Sequence, residues 1–268
     1  MQPDLVPLAG ALTFDQTFEV DACVASNQRQ VNSSSCYERG LPGVAYEKPK
    51  GIPLAIVASG PSAKDYLDRF RKWRGEVWAI NGAFGWLLSE GIKPHAFIGM
   101  DPEPFLVDYL KETPDCTYYI ANQCDAAVFD HLNDRKVVTW HVMDPTVQIP
   151  IGQVPIRGGS TCLGRAPMVG CLLGFTDIHL YGGDSSFVGD TGYAYGGAPR
   201  EGACFAELKK KKYTTTRQML VQAYEIAEMI KDFPGSITIH GSGLLPDLAK
   251  ANLRGFKRRL KYERRLVA

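Results

Sequence analysis

The stretch Pro53-Leu54-Ala55-Ile56-Val57-Ala58-Ser59-Gly60-Pro61-Ser62 decides how the chain is read. Six residues from Pro53 to Ala58 form a short apolar run bounded by turn formers, the pattern of a strand buried on both faces. The run ends in Ser-Gly-Pro-Ser, after which Tyr66, Leu67, Phe70 and Trp73 recur at helical spacing. Strand, glycine turn and helix in that order open a parallel α/β unit.

The alternation continues outward from there. Strands are expected at 77–80, 96–100, 117–121, 137–141, 178–181 and 236–240. Helical segments are expected at 83–89, 105–110, 126–132, 160–173 and 215–231, with Pro167 marking a first turn or a kink in the fourth of these. Residues 184–212 read as a long glycine-rich connection, a length that usually belongs to a lid or substrate loop. The fold class is therefore α/β, a Rossmann-like, mostly parallel sheet with helices on both faces. Residues 1–50, rich in Gln, Asn, Ser and Asp, read as an irregular or partly strand-like arm. Residues 51–252 form the main domain and 253–268 a basic terminal helix.

Composition bounds the function. The 268 residues are 45% apolar and 22% charged, ordinary for a folded soluble domain. No run approaches the roughly 18–20 apolar residues of a membrane span, and the short apolar run from Leu5 to Leu12 lacks the basic flank of a signal peptide. Seven scattered cysteines form neither a disulfide framework nor a CxxC metal pattern. A reduced, cytoplasmic setting is the expectation. Residues 253–268 hold seven Lys and Arg against Glu263, which leaves the rest of the chain net −5 beneath an overall +1. A solvated helix face is the reading preferred for this end over a nucleic-acid contact, because no nucleic-acid motif or interleaved aromatic accompanies it.

In a parallel sheet, ligands collect at the carboxyl ends of the strands, where strand order reverses. The residues just after each expected strand are Gly60-Pro61-Ser62, Asn81-Gly82, Asp101-Pro102, Gly182-Gly183-Asp184 and His240-Gly241. Gly60 permits a tight turn and Ser62 is a good N-cap, so the backbone amides there suit a phosphate. Gly159, Ser160 and Thr161 offer a second cluster of amides and hydroxyls before a helix, flanked by Arg157 and Arg165, whose planar forks suit a diphosphate. Asp101 and Asp184 are carboxylates at strand ends, placed for a ribose hydroxyl or one magnesium ion, with Asp101 the candidate metal ligand. His141 and His240 also end strands and are candidate general bases, whereas His95, His131 and His179 read as structural. No Walker loop and no GxGxxG motif occurs, and Gly241-Ser242-Gly243 lacks the third glycine of a dinucleotide site.

The series Ala58-Ser59-Gly60-Pro61-Ser62, Ile80-Asn81-Gly82-Ala83, Gly99-Met100-Asp101-Pro102, Gly158-Gly159-Ser160-Thr161 and Tyr181-Gly182-Gly183-Asp184 resembles, in order and spacing, one family. It unites archaeal 6-hydroxymethylpterin diphosphokinases (MptE-like proteins) with the motility accessory factors that decorate flagellin with nonulosonic acids. The opening loop also resembles that of bacterial sialyltransferases, which use a CMP-activated sugar. The resemblance spans about residues 52–245 and implies nucleotide-dependent group transfer. Gly60, Pro61, Ser62, Asn81, Gly82, Gly159, Ser160, Thr161 and Gly183 would then line the nucleotide pocket, with Asp101 near the nucleotide or metal and Asp184 closing the other side. Asp101, Asp184 and His141 are the candidate catalytic residues, His141 or Asp184 being the expected base for an acceptor hydroxyl.

The diphosphokinase branch carries Asp-x-Asp-Gly where this chain has Asp101-Pro102-Glu103-Pro104. That departure favours transfer of a sugar from a nucleotide-activated, CMP-nonulosonate-like donor over magnesium-dependent pyrophosphoryl transfer. A non-catalytic nucleotide-binding module is the reading of another class. The acceptor is not legible in the sequence.

Overall fold

A computed structural model describes residues 6–7 and 26–251, except 112, 114, 145, 146, 148 and 198–202. In chain order the elements are β1 (Val6–Pro7), α1 (Ser26–Glu38), β2 (Leu54–Val57), a 3-10 helix (Pro61–Tyr66) running into α2 (Leu67–Arg71), β3 (Glu76–Ile80), α3 (Ala83–Ser89) and β4 (Ala96–Gly99). A 3-10 turn (Pro104–Tyr109), β5 (Thr117–Ala121), α4 (Ala126–His131), β6 (Lys136–Val142), β7 (Pro155–Ile156), α5 (Cys162–Leu172) and β8 (Asp177–Tyr181) follow. The chain continues through β9 (Ala203–Leu208), β10 (Lys211–Thr216), α6 (Arg217–Met229) and β11 (Ser236–Ile239), then a helix α7 described over 244–251.

Eight strands form one parallel sheet in the order β11-β8-β2-β3-β4-β5-β6-β7. The chain steps outward from β2 to β7, then crosses back to place β8 on the other side of β2. Strand order therefore reverses between β2 and β8, at the two loops that begin Ser59-Gly60 and Gly182-Gly183. The architecture is the Rossmann-like α/β sheet that the alternating pattern implies.

Burial explains the register. Leu54, Ala55, Ile56 and Val57 are all fully buried, because β2 has β3 and β8 as neighbours and helices on both faces. Helix α5 approaches β2 closely enough that a Cβ on Gly170 would lie 2.7 Å from Leu54 Cδ2. Trp78, Trp140, Tyr118, Phe84, Phe97 and Phe175 fill the two layers beside the sheet. None of the described helices is long and apolar enough to cross a membrane.

Two segments depart from expectation. Residues 26–38, placed in an irregular arm by their polar composition, form α1, whose buried face is Asn32, Ser33 and Cys36. A helix that buries amides and hydroxyls has no apolar period to announce it. The supposed long connection 184–212 ends in a hairpin, β9 paired antiparallel with β10 through Lys209 and Lys210, both at positive φ, with β1 alongside β9. The expected basic helix at 253–268 lies outside the described residues.

Replacing Leu54 by Ala is expected to lower the unfolding free energy by about 2–5 kcal/mol, because α5 sits too close to collapse into the space. Equilibrium denaturation checks this, and a loss below about 1 kcal/mol would show that β2 is not the packing centre.

Candidate functional site

Three neighbouring strand ends, those of β2, β8 and β11, are tied together by one residue. Asp184, 1% exposed, accepts the Ser62 backbone N–H at 2.7 Å through Oδ2 and the Ser62 hydroxyl at 2.5 Å through Oδ1. Its backbone carbonyl accepts Leu245 N–H at 3.1 Å, at the start of α7. Gly60 N–H donates to Gly182 O at 2.8 Å, and Ala63 N–H to Gly60 O at 3.0 Å. Glycine is required at Gly60 and Gly241, since a Cβ would lie 2.3 Å from Gly182 O in the first case and 2.2 Å from Ser62 Oγ in the second.

This arrangement revises two expectations. Ser62 does not cap the helix at Pro61–Tyr66, which carries no side-chain cap; its hydroxyl goes to Asp184 instead. The amides of Gly60, Ser62 and Ala63 are already bonded within the protein, and Pro61 has none, so the loop is not an open phosphate cradle. Asp184 is likewise not a solvent-facing base. Burial pushes its carboxyl up to about 6, against the two Ser62 hydrogen bonds that pull it down and with Asp65 adding to the rise.

Beyond the clamp, the loop after β8 folds back over β2 and β3. Gly192 N–H donates to Gly197 O and Gly196 N–H to Tyr193 O, closing a compact turn that Ala194 N–H anchors to Ser59 O at 2.8 Å. Tyr193 and Tyr195 stack within it, ring centroids 5.2 Å apart and 2° from parallel. Tyr195 is 47% exposed, and its hydroxyl lies where a Gly82 side chain would begin, 2.5 Å from an ideal Cβ. Beside it Asn81 holds a positive φ of 47° with its buried Oδ1 lacking a hydrogen-bond partner. The glycine content of 184–212 leads to the expectation of a lid or substrate loop; the ring pair itself depends on how the turn closes.

Asp101 follows β4, two strands from β2 and so about 10 Å along the edge. Its Oδ1 accepts the Glu103 N–H at 3.2 Å, and its charge is near enough to Cys162 to help raise that thiol. No group of three or more His, Cys, Asp or Glu side chains among the described residues is arranged to hold a metal ion. Asp101 by itself is a poor fit to a dedicated magnesium site.

Gly159, Ser160 and Thr161 precede α5, and Thr161 caps it by accepting Gly164 N–H. The anion-binding corner expected there is filled by the protein's own carboxylate. Glu225 of α6 accepts both the backbone N–H and the hydroxyl of Ser160 through Oε2, each at 2.8 Å, and a Cβ on Gly159 would lie 2.5 Å from the same oxygen. Arg165, expected to meet a diphosphate, donates instead to the carbonyls of Gly159 and Ile156, and Arg157 Nε to Met143 Sδ. Nothing in the local sequence links Glu225 to Ser160, 65 residues away.

The histidines separate. His141 ends β6, four strands from β2 and so about 19 Å from the Ser62–Asp184 clamp. His240, after β11, is hydrogen-bonded to His179 at 2.8 Å and stacked on Tyr181, centroids 4.3 Å apart. Burial, then the Arg69 charge, then His179 hold His240 down to about 4, so it is neutral near pH 7. The edge therefore gathers Gly60, Pro61, Ser62, Asn81, Gly82, Gly183 and Asp184 around β2, β3 and β8, with Asp101 adjacent, and leaves His141 apart.

A parallel sheet with its reversal point beneath glycine turns defines a Rossmann-like α/β protein. Residues 32–190 match the family model described as 6-hydroxymethylpterin diphosphokinase MptE-like, and the chain belongs to that family. Among solved structures, the MAf glycosyltransferase from Magnetospirillum magneticum AMB-1 shares the fold with a TM-score of 0.60 at 15% identity, over 85% of this chain. The chain spans only 40% of that protein's length. No curated protein matches.

Asp184 gives a signed pH prediction. Its carboxyl is raised from 3.8 to about 6 in the folded state, so its neutral form stabilises the fold fully below pH 4, and that contribution is lost as pH rises through 6. The loss amounts to roughly 3 kcal/mol. Asp184→Asn, which keeps an acceptor for Ser62 N–H, is expected to flatten this pH dependence of unfolding between pH 4 and 6.5. Asp184→Ala is expected to cost about 2–4 kcal/mol by orphaning Ser62. Denaturant melts across pH check both, and an unchanged slope in the Asn variant would contradict the assignment.

Proposed function

We propose that this chain is a group transferase acting on a nucleotide-activated donor, with a sugar as the transferred group. The family supports transfer chemistry, and the solved relative of the same fold is itself a glycosyltransferase. The observation that carries the nucleotide is the Tyr193–Tyr195 turn laid over Ser59 and Gly82. An exposed tyrosine ring at the carboxyl edge of a Rossmann-like sheet offers a face for a planar base, and its hydroxyl sits beside the backbone where the attached phosphate would pass.

Of the three candidate catalytic residues, Asp101, Asp184 and His141, we assign the proton-accepting role to Asp101. Asp184 has both oxygens on Ser62, and His141 is four strands from β2. Asp101 is half-buried at the middle of the edge. There it would take the proton of an acceptor hydroxyl as that oxygen displaces the nucleotide from the sugar. Magnesium-dependent pyrophosphoryl transfer is the second reading, favoured by the family's description. The run Asp101-Pro102-Glu103-Pro104 counts against it, because Glu103 stands where the diphosphokinases have the second aspartate, and the negative charge of diphosphoryl transfer is balanced by a metal that such aspartates would hold.

A thermal-shift panel of CMP, CDP, UDP, GDP, ADP and ATP, each with and without magnesium, tests this. Saturation at a hundredfold excess over Kd stabilises by about 2.7 kcal/mol. A metal-independent shift with a nucleotide that carries sugars, reduced at least tenfold in affinity by Tyr195→Leu, is expected. Selective stabilisation by ATP with magnesium would replace this reading with the kinase. Slow hydrolysis of the donor, lost in Asp101→Asn with nucleotide binding retained, is the expected sign of turnover; binding without any hydrolysis would make the chain a nucleotide-binding module.

A further inference from the structure

The hairpin of β9 and β10 closes with Leu208 opposite Lys211, so its turn consists of Lys209 and Lys210 alone. Both hold positive φ, 52° and 68°. A two-residue turn with both central residues left-handed is the geometry that Asn-Gly or Asp-Gly enters with least strain. A lysine Cβ is crowded there, and two in succession are poor turn chemistry. The fold of the hairpin supplies no reason for them.

Four lysines run through this tip, and only one is spoken for. Lys211 Nζ donates to Asp247 Oδ2 at 2.7 Å, and Tyr213 Oη donates to the same oxygen at 2.7 Å, which fixes the hairpin to α7. Lys250 reaches the other Asp247 oxygen at 4.0 Å. Lys209, Lys210 and Lys212 are exposed and form no ion pair with any described residue. Glu207 stands opposite Lys212 across the ladder without pairing to it.

Alternation along the two strands turns Ala206, Leu208, Tyr213 and Thr215 inward, where all four are buried, and leaves Phe205, Glu207, Lys212 and Thr214 on the outer face. Phe205 is 42% exposed. On the far side of Thr214, whose carbonyl accepts Phe187 N–H at 2.8 Å, Val188 is 55% exposed. Unpaired lysines at the tip thus have bare apolar side chains behind them. Helix α7 ends its described span at residue 251, about one turn beyond Asp247. The sequence that follows, 253–268, holds seven Lys and Arg against Glu263.

We propose that the β9–β10 tip docks on an anionic lipid bilayer, with Lys209, Lys210 and Lys212 meeting the headgroups and Phe205 entering the interface. An aromatic and an aliphatic side chain beside unpaired lysines suit the headgroup–acyl boundary. The outer face of the hairpin carries no asparagine, glutamine or arginine to read a base edge, which favours a lipid surface over a nucleic acid. Each lysine at an anionic surface adds about fivefold to binding. Three lysines and one aromatic ring make a reversible, salt-sensitive contact. The contact is independent of the transfer chemistry proposed above.

Co-sedimentation of the full chain with vesicles tests it, using phosphatidylcholine alone and phosphatidylcholine with phosphatidylglycerol at about one lipid in three. Binding to the anionic vesicles only, lost between about 0.1 M and about 0.5 M NaCl, is expected. The double variant Lys209→Asn/Lys210→Gly gives the turn the residues it prefers, so thermal stability is kept or raised while vesicle binding falls at least tenfold. Phe205→Ser is expected to weaken binding about threefold. Lys72→Asn/Lys136→Asn removes two exposed charges elsewhere and is expected to leave binding unchanged. No binding to anionic vesicles, or equal binding to neutral ones, would overturn the proposal. So would undiminished binding by the turn variant, which would place the contact in the terminal basic segment, or an equal loss in the control variant. Displacement from vesicles by a DNA duplex at equal phosphate concentration would replace the lipid with a nucleic acid.

Discussion

Asp184 holds three strand ends of the sheet together, through its carboxyl group and its backbone carbonyl. Three loops from β2, β8 and β11 meet at it, and each has glycine where the backbones come closest. Parallel sheets leave their strand ends as unpaired loops, and at a reversal of strand order two such loops diverge toward opposite faces. A buried acid hydrogen-bonded to the serine of one loop, with its own backbone carbonyl bonded to a residue of another, prevents that divergence. The cost is a carboxyl raised to about 6, tolerated because two Ser62 donors offset part of the burial.

The same logic recurs along the edge. Glu225 satisfies Ser160 at the start of α5, and Asn32 of α1 donates to the carbonyls of Pro102 and Gln123 at the ends of β4 and β5. Side chains that look like ligand groups in the sequence are in several places the protein's own partners for strand-end backbone. What they leave accessible is narrower: the tyrosine turn above β2 and β3, and Asp101, half-buried at the end of β4.

The secondary structure from 52 to 183 was largely legible because its strands are apolar runs and its helices carry apolar periods. Expected and observed bounds differ there by a residue or two, as at Glu76–Ile80 and Lys136–Val142. Helix α1 was not legible, since the face it buries is polar, and the β9–β10 hairpin was hidden by four consecutive lysines that read as a loop. In the site, the positions after each strand were legible from turn residues. Their partners were not, since Ser62 and Asp184 stand 122 residues apart and Ser160 and Glu225 stand 65 apart.

Local chemistry decided that this chain would be a parallel α/β sheet, that its glycine turns would gather at one edge, and which family it resembles. Apolar burial and backbone geometry act over a few residues, so they are written where they act. Only the folded chain decided that both Asp184 oxygens meet Ser62, that Glu225 meets the Ser160 amide and hydroxyl, and that His141 lies four strands from β2. Those outcomes depend on which hydrogen-bonding groups meet once the strands are ordered, and strand order is a property of the whole sheet.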